Sequence, residues 1–270
     1  MNNLVVISDL HVGCQLGLCS PVAQLDEGGE YHATWAQQVL WSWWKEFWSE
    51  WVPEVTRGED YAIVLNGDAI DGTHHGVTTQ WTQNLADQRR EAERILAPVI
   101  KDHKYYHLRG TEAHAGKSGI EEETLARSLG AIPNFSGQCA RWELWVQIGD
   151  GQAHITHHIG TAGSMHYESS ALTRELSEAY AEAARWGGET PQWLVRSHRH
   201  RCGEWRIMTS KGFATICVTA GWQLKTPFAY KVAGARQATP QIGGTLLRCG
   251  DKDCYTRHFV RAPGRERVEL

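Results

Sequence analysis

The sequence predicts an α/β chain with mixed sheets, and three observations carry that prediction. Helical stretches follow short apolar runs through the first two thirds of the chain. The last third reads as paired alternating runs broken by turn residues. Polar clusters rich in Asp and His fall just past the apolar runs, where ligand sites collect in α/β sheets.

In order, Leu4 to Ser8 is an apolar run expected as a buried strand, ending in the turn Asp9-Leu10-His11-Val12-Gly13. A Gly-, Ser- and Pro-containing loop extends to about Tyr31. Thr34 is placed to cap a Trp-rich helix that Pro53 is expected to close. Val39, Trp43 and Phe47 recur at i, i+4, as do Leu40, Trp44 and Trp48, which marks the buried face of an amphipathic helix rather than a base-stacking platform. Tyr61 to Leu65 is a second strand entering Asn66-Gly67-Asp68-Ala69-Ile70-Asp71-Gly72, and Gln83 to Ile100 a helix. Tyr105 to Leu108 is a third strand entering Arg109-Gly110-Thr111-Glu112-Ala113-His114. A helix from Ile120 to Leu129 ends at Gly130. Trp142 to Ile148 alternates, and Ala153 to Thr156 leads into His157-His158. Ala171 to Trp186 is helical, and Trp193 to Val195 is a strand entering Arg196-Ser197-His198-Arg199-His200. Trp205–Ser210, Phe213–Thr219, Gly244–Arg248 and Tyr255–Val260 read as hairpin strands, the β-rich part starting near residue 201.

The 270 residues suit one large domain, residues 1–270, with no repeat and no low-complexity linker. A hydrophobic share of 41% and a charged share of 21% are those of a globular protein. The net charge of -4 advertises no broad basic field for a long nucleic acid. Seven scattered cysteines argue against a disulfide framework, and Cys249 and Cys254 read as reduced. No apolar stretch reaches the roughly 20 residues of a membrane span, and the N-terminus carries no secretory signal. A cytoplasmic protein without a membrane partner is the expectation.

Asp and His are ligands for divalent metals of hard and borderline character. On extended backbone, Asp9 and His11 face the same way, as do His198 and His200. Asp68 follows a glycine that permits a tight turn, and its two oxygens can bridge two cations. Each motif alone is weak; their force lies in five strand-end clusters in one order.

That order resembles the calcineurin-like metallophosphoesterases, whose pattern is D-x-H, G-D-x-x-D, G-N-H-[DE], a strand ending in His, and G-H-x-H. The matches are Asp9-Leu10-His11, Gly67-Asp68-Ala69-Ile70-Asp71, His157 or His158 after its strand, and Ser197-His198-Arg199-His200. The third motif departs, reading Gly110-Thr111-Glu112-Ala113-His114, and Ser197 stands where the family has Gly. The resemblance implies a four-layer α-β-β-α sandwich of two mixed sheets. It implies one metal on Asp9, His11, Asp68 and His200. A second would share Asp68 and add Glu112 or, less favoured, Thr111, with one of His157 and His158, and His198. Two cations about 3.5–4 Å apart then lower the pKa of a bridging water for attack on phosphorus, and His114 is the candidate proton donor to the leaving oxygen. Mn suits this ligand set best, with Fe, Zn, Ni or Mg as alternatives. Arg109, Arg199 and His75 are candidate substrate contacts, although His74 and His75 read equally as solvated loop residues.

The implied activity is a metal-dependent phosphoesterase acting on a phosphodiester in a nucleotide or nucleic acid. A phosphomonoesterase is the first alternative, and an inert scaffold that serves in binding the second. Gly110 to Ser118 nearly spells a phosphate-binding loop, but five residues separate its glycines where that motif needs four.

Overall fold

The computed structural model describes residues 1–74, 76–160, 167–231, 238–250 and 253–264. Strand β1 (Asn3–Ile7) is buried throughout. β2 (Val22–Gln24) and β3 (Glu30–His32) form a small antiparallel pair in the segment read as loop, too short for alternation to show. Thr34 caps α1 (Trp35–Glu46) in a reciprocal box with Gln37. The helical path then widens into a π-turn, Phe47–Trp51, and continues as α2 (Val52–Thr56). Pro53 therefore does not close the helix. It sits in the first turn of α2, just after the π-turn in which Val52 N–H reaches back to Phe47 O, so the helical path passes the residue that lacks an N–H.

β4 (Tyr61–Asn66), α3 (Leu85–Ile100) and β5 (Lys104–Leu108) follow as expected. Next come α4 (Glu112–Ala115), α5 (Ile120–Ser128), β6 (Ala140–Arg141), β7 (Leu144–Ile148), β8 (Gly151–Ile155) and α6 (Glu168–Trp186). The chain continues with β9 (Trp193–Arg196), β10 (Gly203–Thr209), β11 (Gly212–Val218), α7 (Pro227–Lys231), β12 (Ile242–Gly250) and β13 (Asp253–Arg261). α4 occupies the stretch that resembled a phosphate-binding loop.

The first sheet has the order β13-β12-β1-β4-β5-β6, parallel from β1 to β6 and antiparallel at β12 and β13. The second has the order β10-β11-β9-β8-β7, with a parallel centre and antiparallel edges. Alternating side chains of one strand face opposite ways, and this sorts the core into three seams. Val5, Ile7, Ile63 and Leu65 pack under Leu40, Phe47, Ile95 and Leu125 of the helices. Leu4, Val6, Ala62 and Val64 meet Leu144, Ile155, Trp193 and Val195 of the second sheet. Leu194, Ile216 and Val218 pack under Leu172 and Leu176 of α6. Helix, sheet, sheet and helix thus make four layers, and both sheets are mixed.

Of the tryptophans of α1 and the π-turn, Trp44 is core, Trp41, Trp43, Trp48 and Trp51 pack partly buried against it, and Trp35 is exposed. Trp44 and Phe47 are buried, and Trp222 packs edge-on to both, with ring centroids at 4.9 and 5.7 Å. Cys249 and Cys254 are not the reduced pair expected. They oppose each other across β12 and β13 and are joined as a disulfide, brought together by strand register. No helix among the described residues is long and apolar enough to cross a membrane.

Candidate metal centre

The candidate ligands stand on the loops that leave the parallel strands β1, β4, β5, β8 and β9. These loops hold strained backbone. Asp9, His11, Asp68, His198 and His200 all have positive φ, between 45° and 69°. Left-handed conformation costs a non-glycine residue on the order of 1–2 kcal/mol, and such strain gathers at functional sites. The i, i+2 pairs therefore converge through left-handed turns, not along extended backbone as the sequence reading supposed. Two strand-end loops zip together to hold the strain: Asp9 N–H donates to Gly67 O at 3.0 Å and His11 N–H to Asp68 O at 3.1 Å.

The side chains form two donor sets that meet at the buried carboxylates. In the first, Asp9 Oδ1 lies 3.2 Å from His200 Nε2, which lies 3.1 Å from His11 Nε2. In the second, Asp68 Oδ2 lies 3.0 Å from His157 Nε2 and accepts from Thr111 Oγ1 at 3.1 Å. Thr111 Oγ1 is in turn 3.0 Å from His198 Nδ1 and 3.5 Å from His158 Nε2. Asp9, Asp68 and His157 bring ligand atoms within 4.8 Å of one another, as do Asp9, His11 and His200, and His157, His158 and His198.

These residues fit divalent cations. Asp9 Oδ1 is buried and makes no well-formed hydrogen bond; its neighbours are the ring nitrogens of His200 at 3.2 Å and His157 at 4.0 Å, so its charge is met only by a protonated histidine or a bound cation. Burial opposes the charge of both carboxylates. Even so, His200 and His157 hold Asp9 below the usual range, and His157 and His198 hold Asp68 well below it. Burial likewise opposes charge on His157, but Asp68 and Asp9 lift it to about 10. Its Nδ1 pairs with Asn66 O at 2.6 Å, leaving Nε2 for the site.

The expected residues fare unequally. Asp9, His11, Asp68, His157, His158, His198 and His200 come together, His157 buried and His158 exposed at the rim. Glu112 does not: it is exposed at the start of α4 and belongs to none of the clusters, while Thr111 stands at the centre of the second set. The helical turn of α4 is the cause, since it swings the next side chain outward. His114, one turn on, lines the cleft beside His11, with ring centroids at 4.5 Å. Its Nδ1 lies 2.7 Å from Asp71 O, and burial, then the nearby His11, lowers its pKa to about 4. Arg109 does not line the cleft. It is buried, donating to Ala140 O and Ser118 O at 3.1 and 3.0 Å with its guanidinium over Trp142. Arg199 lines the cleft and donates to Gly160 O. His75 lies outside the described residues.

Three supporting groups received no role in the sequence reading, although Asp71 and Ser197 stand in its motifs. Asp71 Oδ1 faces His11 Nδ1 at 3.3 Å and orients that ring. Glu122, buried on α5, accepts from Ala69 N at 3.2 Å with one oxygen and Gly110 N at 2.7 Å with the other, tying together the loops that carry Asp68 and Thr111. Burial, then the Asp68 charge, pushes its carboxyl up to about 7. Ser197 bonds Asn66 Nδ2 and Thr219 Oγ1, each at 2.7 Å, and Thr219 bonds Ser8 Oγ at 2.7 Å. That buried chain stitches the two sheets together beneath the ligands. No sequence periodicity marks any of these three. Glycine is required twice in the floor: a Cβ on Gly67 would lie 2.5 Å from His157 Nδ1, and one on Gly110 2.1 Å from Asp68 Oδ1.

No protein-family model and no curated protein matches the sequence. Among solved structures the chain is similar to a novel archaeal phosphodiesterase at 10% identity and TM-score 0.42, covering 96% of this chain and 99% of that one. It is similar to a metallophosphoesterase from Sphaerobacter thermophilus at 10% identity and TM-score 0.41, covering 98% and 89%. Vps29 of Chaetomium thermophilum stands at 10% identity and TM-score 0.40, covering 97% of each chain. All three TM-scores lie below 0.5, so the chemistry of this site rests on its own residues. Those residues are two adjoining Asp/His donor sets at one end of a four-layer sandwich.

Proposed function

We propose that this chain is a two-metal phosphoesterase acting on phosphodiesters. The observation that carries the reading is the fusion of two donor sets through buried Asp68. Asp9, His11, His200 and one Asp68 oxygen would hold one cation. The other Asp68 oxygen, His157, His198 and the Thr111 hydroxyl would hold its neighbour, with His158 at the rim. Mn²⁺ suits the mixed nitrogen and oxygen donors. When bound, such a pair supplies Lewis acidity and lowers the pKa of a shared water.

The chain's own residues do the rest. Buried carboxylates and rings oriented by Asp71 and Asn66 fix the geometry before substrate arrives. A water oxygen bonds to phosphorus as the water gives up a proton, one ester P–O bond breaks, and the leaving oxygen takes up a proton in exchange. His114 is the group placed to pass that proton, its ring held against the Asp71 carbonyl. A cleft of about 820 Å³ opens from the ligands, room for groups on both ester oxygens, which favours a diester over a monoester.

The test is calorimetric titration of metal-stripped protein with Mn²⁺, alongside Asp68→Asn. The wild type should take up two equivalents, and the variant should lose tight binding of at least one along with metal-dependent turnover. Turnover retained in Asp68→Asn would remove Asp68 from the site.

A further inference from the structure

One wall of the cleft is built by the chain that follows Trp222. Trp222 anchors it: its ring sits in the Trp44–Phe47 cluster and its backbone N–H donates to Asp9 O at 2.9 Å. The chain that leaves this anchor, Gln223 to Thr226, lines the same cleft as Asp68 and His198 and enters α7. α7 buries none of its residues. Phe228 is 71% exposed yet lines the cleft. Exposed rings occur elsewhere on the described surface, at Trp35, Phe135 and Trp186 among others, but of the described exposed aromatics Phe228 alone lines the cleft that holds the candidate ligands, where a ring face is a stacking surface. Cations surround it. Arg199, Arg201, Lys225 and Lys231 line the cleft, and Glu168 is the acid facing them away from the metal ligands, paired with Arg201 at 3.0 Å. Lys225 Nζ lies 4.1 Å above the Tyr230 ring, which fixes its ammonium on this wall.

A planar apolar surface within a cationic rim suits a ligand with a flat ring and negative charge beyond the scissile phosphate. We infer that α7 forms a nucleoside subsite: a nucleotide-class phosphodiester binds with its base on Phe228 and its phosphate at the Asp68 centre. This rests on the phosphoesterase reading for the chemistry, but not for the binding. The volume of about 820 Å³ accommodates one nucleotide and its neighbour. The net charge of -4 sets the subsite apart from a long nucleic-acid track.

The probe is thymidine 5′-monophosphate against methyl phosphate, each titrated calorimetrically into Mn²⁺-loaded full-length protein. Both carry the same phosphate, and only one carries a base. The wild type should bind the nucleotide about tenfold more tightly or better, the range for one base on one aromatic ring. Phe228→Ala should erase most of that preference, and Phe135→Ala, which removes a fully exposed ring that does not line the cleft, should keep it. Equal affinity for the two probes in the wild type, or a preference that survives Phe228→Ala, would overturn the subsite. A preference dependent on Phe228 in a protein that hydrolyses no ester would uphold the subsite and remove only the phosphoesterase reading. Hydrolysis without any preference would do the reverse.

Discussion

Five of the seven described non-glycine residues with positive φ are candidate ligands. The strain they hold is offset by groups that are not ligands, and Glu122 is the most exposed to test. Its two oxygens serve two backbone N–H groups on two different ligand loops. Glu122→Gln turns one acceptor into a donor and leaves a buried N–H unmet, costing about 1–3 kcal/mol of stability. Because those loops carry Asp68 and Thr111, the variant should also bind Mn²⁺ more weakly. Titration checks this: a variant destabilised to that extent but with wild-type metal affinity would make Glu122 a fold residue only. The candidate ligands were legible as a set, since Asp9, His11, Asp68, His198 and His200, which D-x-H, G-D and H-x-H single out, are the residues that the fold brings into the donor clusters. Glu122 was not, because a carboxylate on a helix face resembles a solvated charge until the backbone it caps is known. Glu112 misled for the opposite reason. A carboxylate in the right motif slot is the natural choice, but the turn of α4 carries it outward and leaves Thr111 inside.

Among the elements, α1, the π-turn and α7 join core to site. The periodicity of Val39, Trp43 and Phe47 was enough to place a buried helix, but Pro53 misdirected its end, since a π-turn has no sequence period to read. Trp222, outside the helix, completes the aromatic cluster and bonds the Asp9 backbone. Trp222→Ala removes a fully buried indole and should cost about 3–5 kcal/mol. It should also loosen the path from Asp9 to α7. Chemical denaturation gives the first quantity, and nucleotide affinity measured well below the unfolding transition gives the second. A loss under 1 kcal/mol would mean the cluster rearranges to fill the space. The small β2–β3 pair and α7 were invisible in the sequence because elements of three to five residues have too few positions to show a pattern.

For the whole molecule, the question is what keeps the two sheets in register at their β13 and β10 edges. His258 on β13 of the first sheet faces Glu204 on β10 of the second, Nε2 to Oε2 at 3.0 Å. Burial opposes both charges. Hydrogen bonds that His258 donates to Cys202 and Glu204 nevertheless lift it to about 9, and those that Glu204 accepts from His258, Thr256 and Arg206 hold Glu204 down to about 2. A histidine raised from 6.5 contributes stability that is complete below about pH 6.5 and is lost as pH rises through about 9. A glutamate lowered from 4.5 contributes above about pH 4.5 and loses it as pH falls through about 2. The melting-temperature gap between wild type and Glu204→Gln should therefore be widest near pH 5–6 and close towards pH 9. A gap independent of pH would mean that the pair contributes packing alone. The architecture at this scale was legible as an α/β chain with mixed sheets, because apolar strands and helices alternate strongly. The Cys249–Cys254 link was not, since only strand register opposes the two residues.

The central claim, that the fused Asp/His sets hydrolyse a phosphodiester with bound metal, is met most directly by hydrolysis of bis(p-nitrophenyl) phosphate against p-nitrophenyl phosphate. Metal-stripped protein is assayed with Mn²⁺, Zn²⁺, Ni²⁺ or Mg²⁺ restored. The account predicts diester cleavage that requires added metal, is greatest with Mn²⁺ and exceeds cleavage of the monoester. No cleavage of either ester with any of the four metals would contradict it and leave the donor sets as the relic of a binding scaffold.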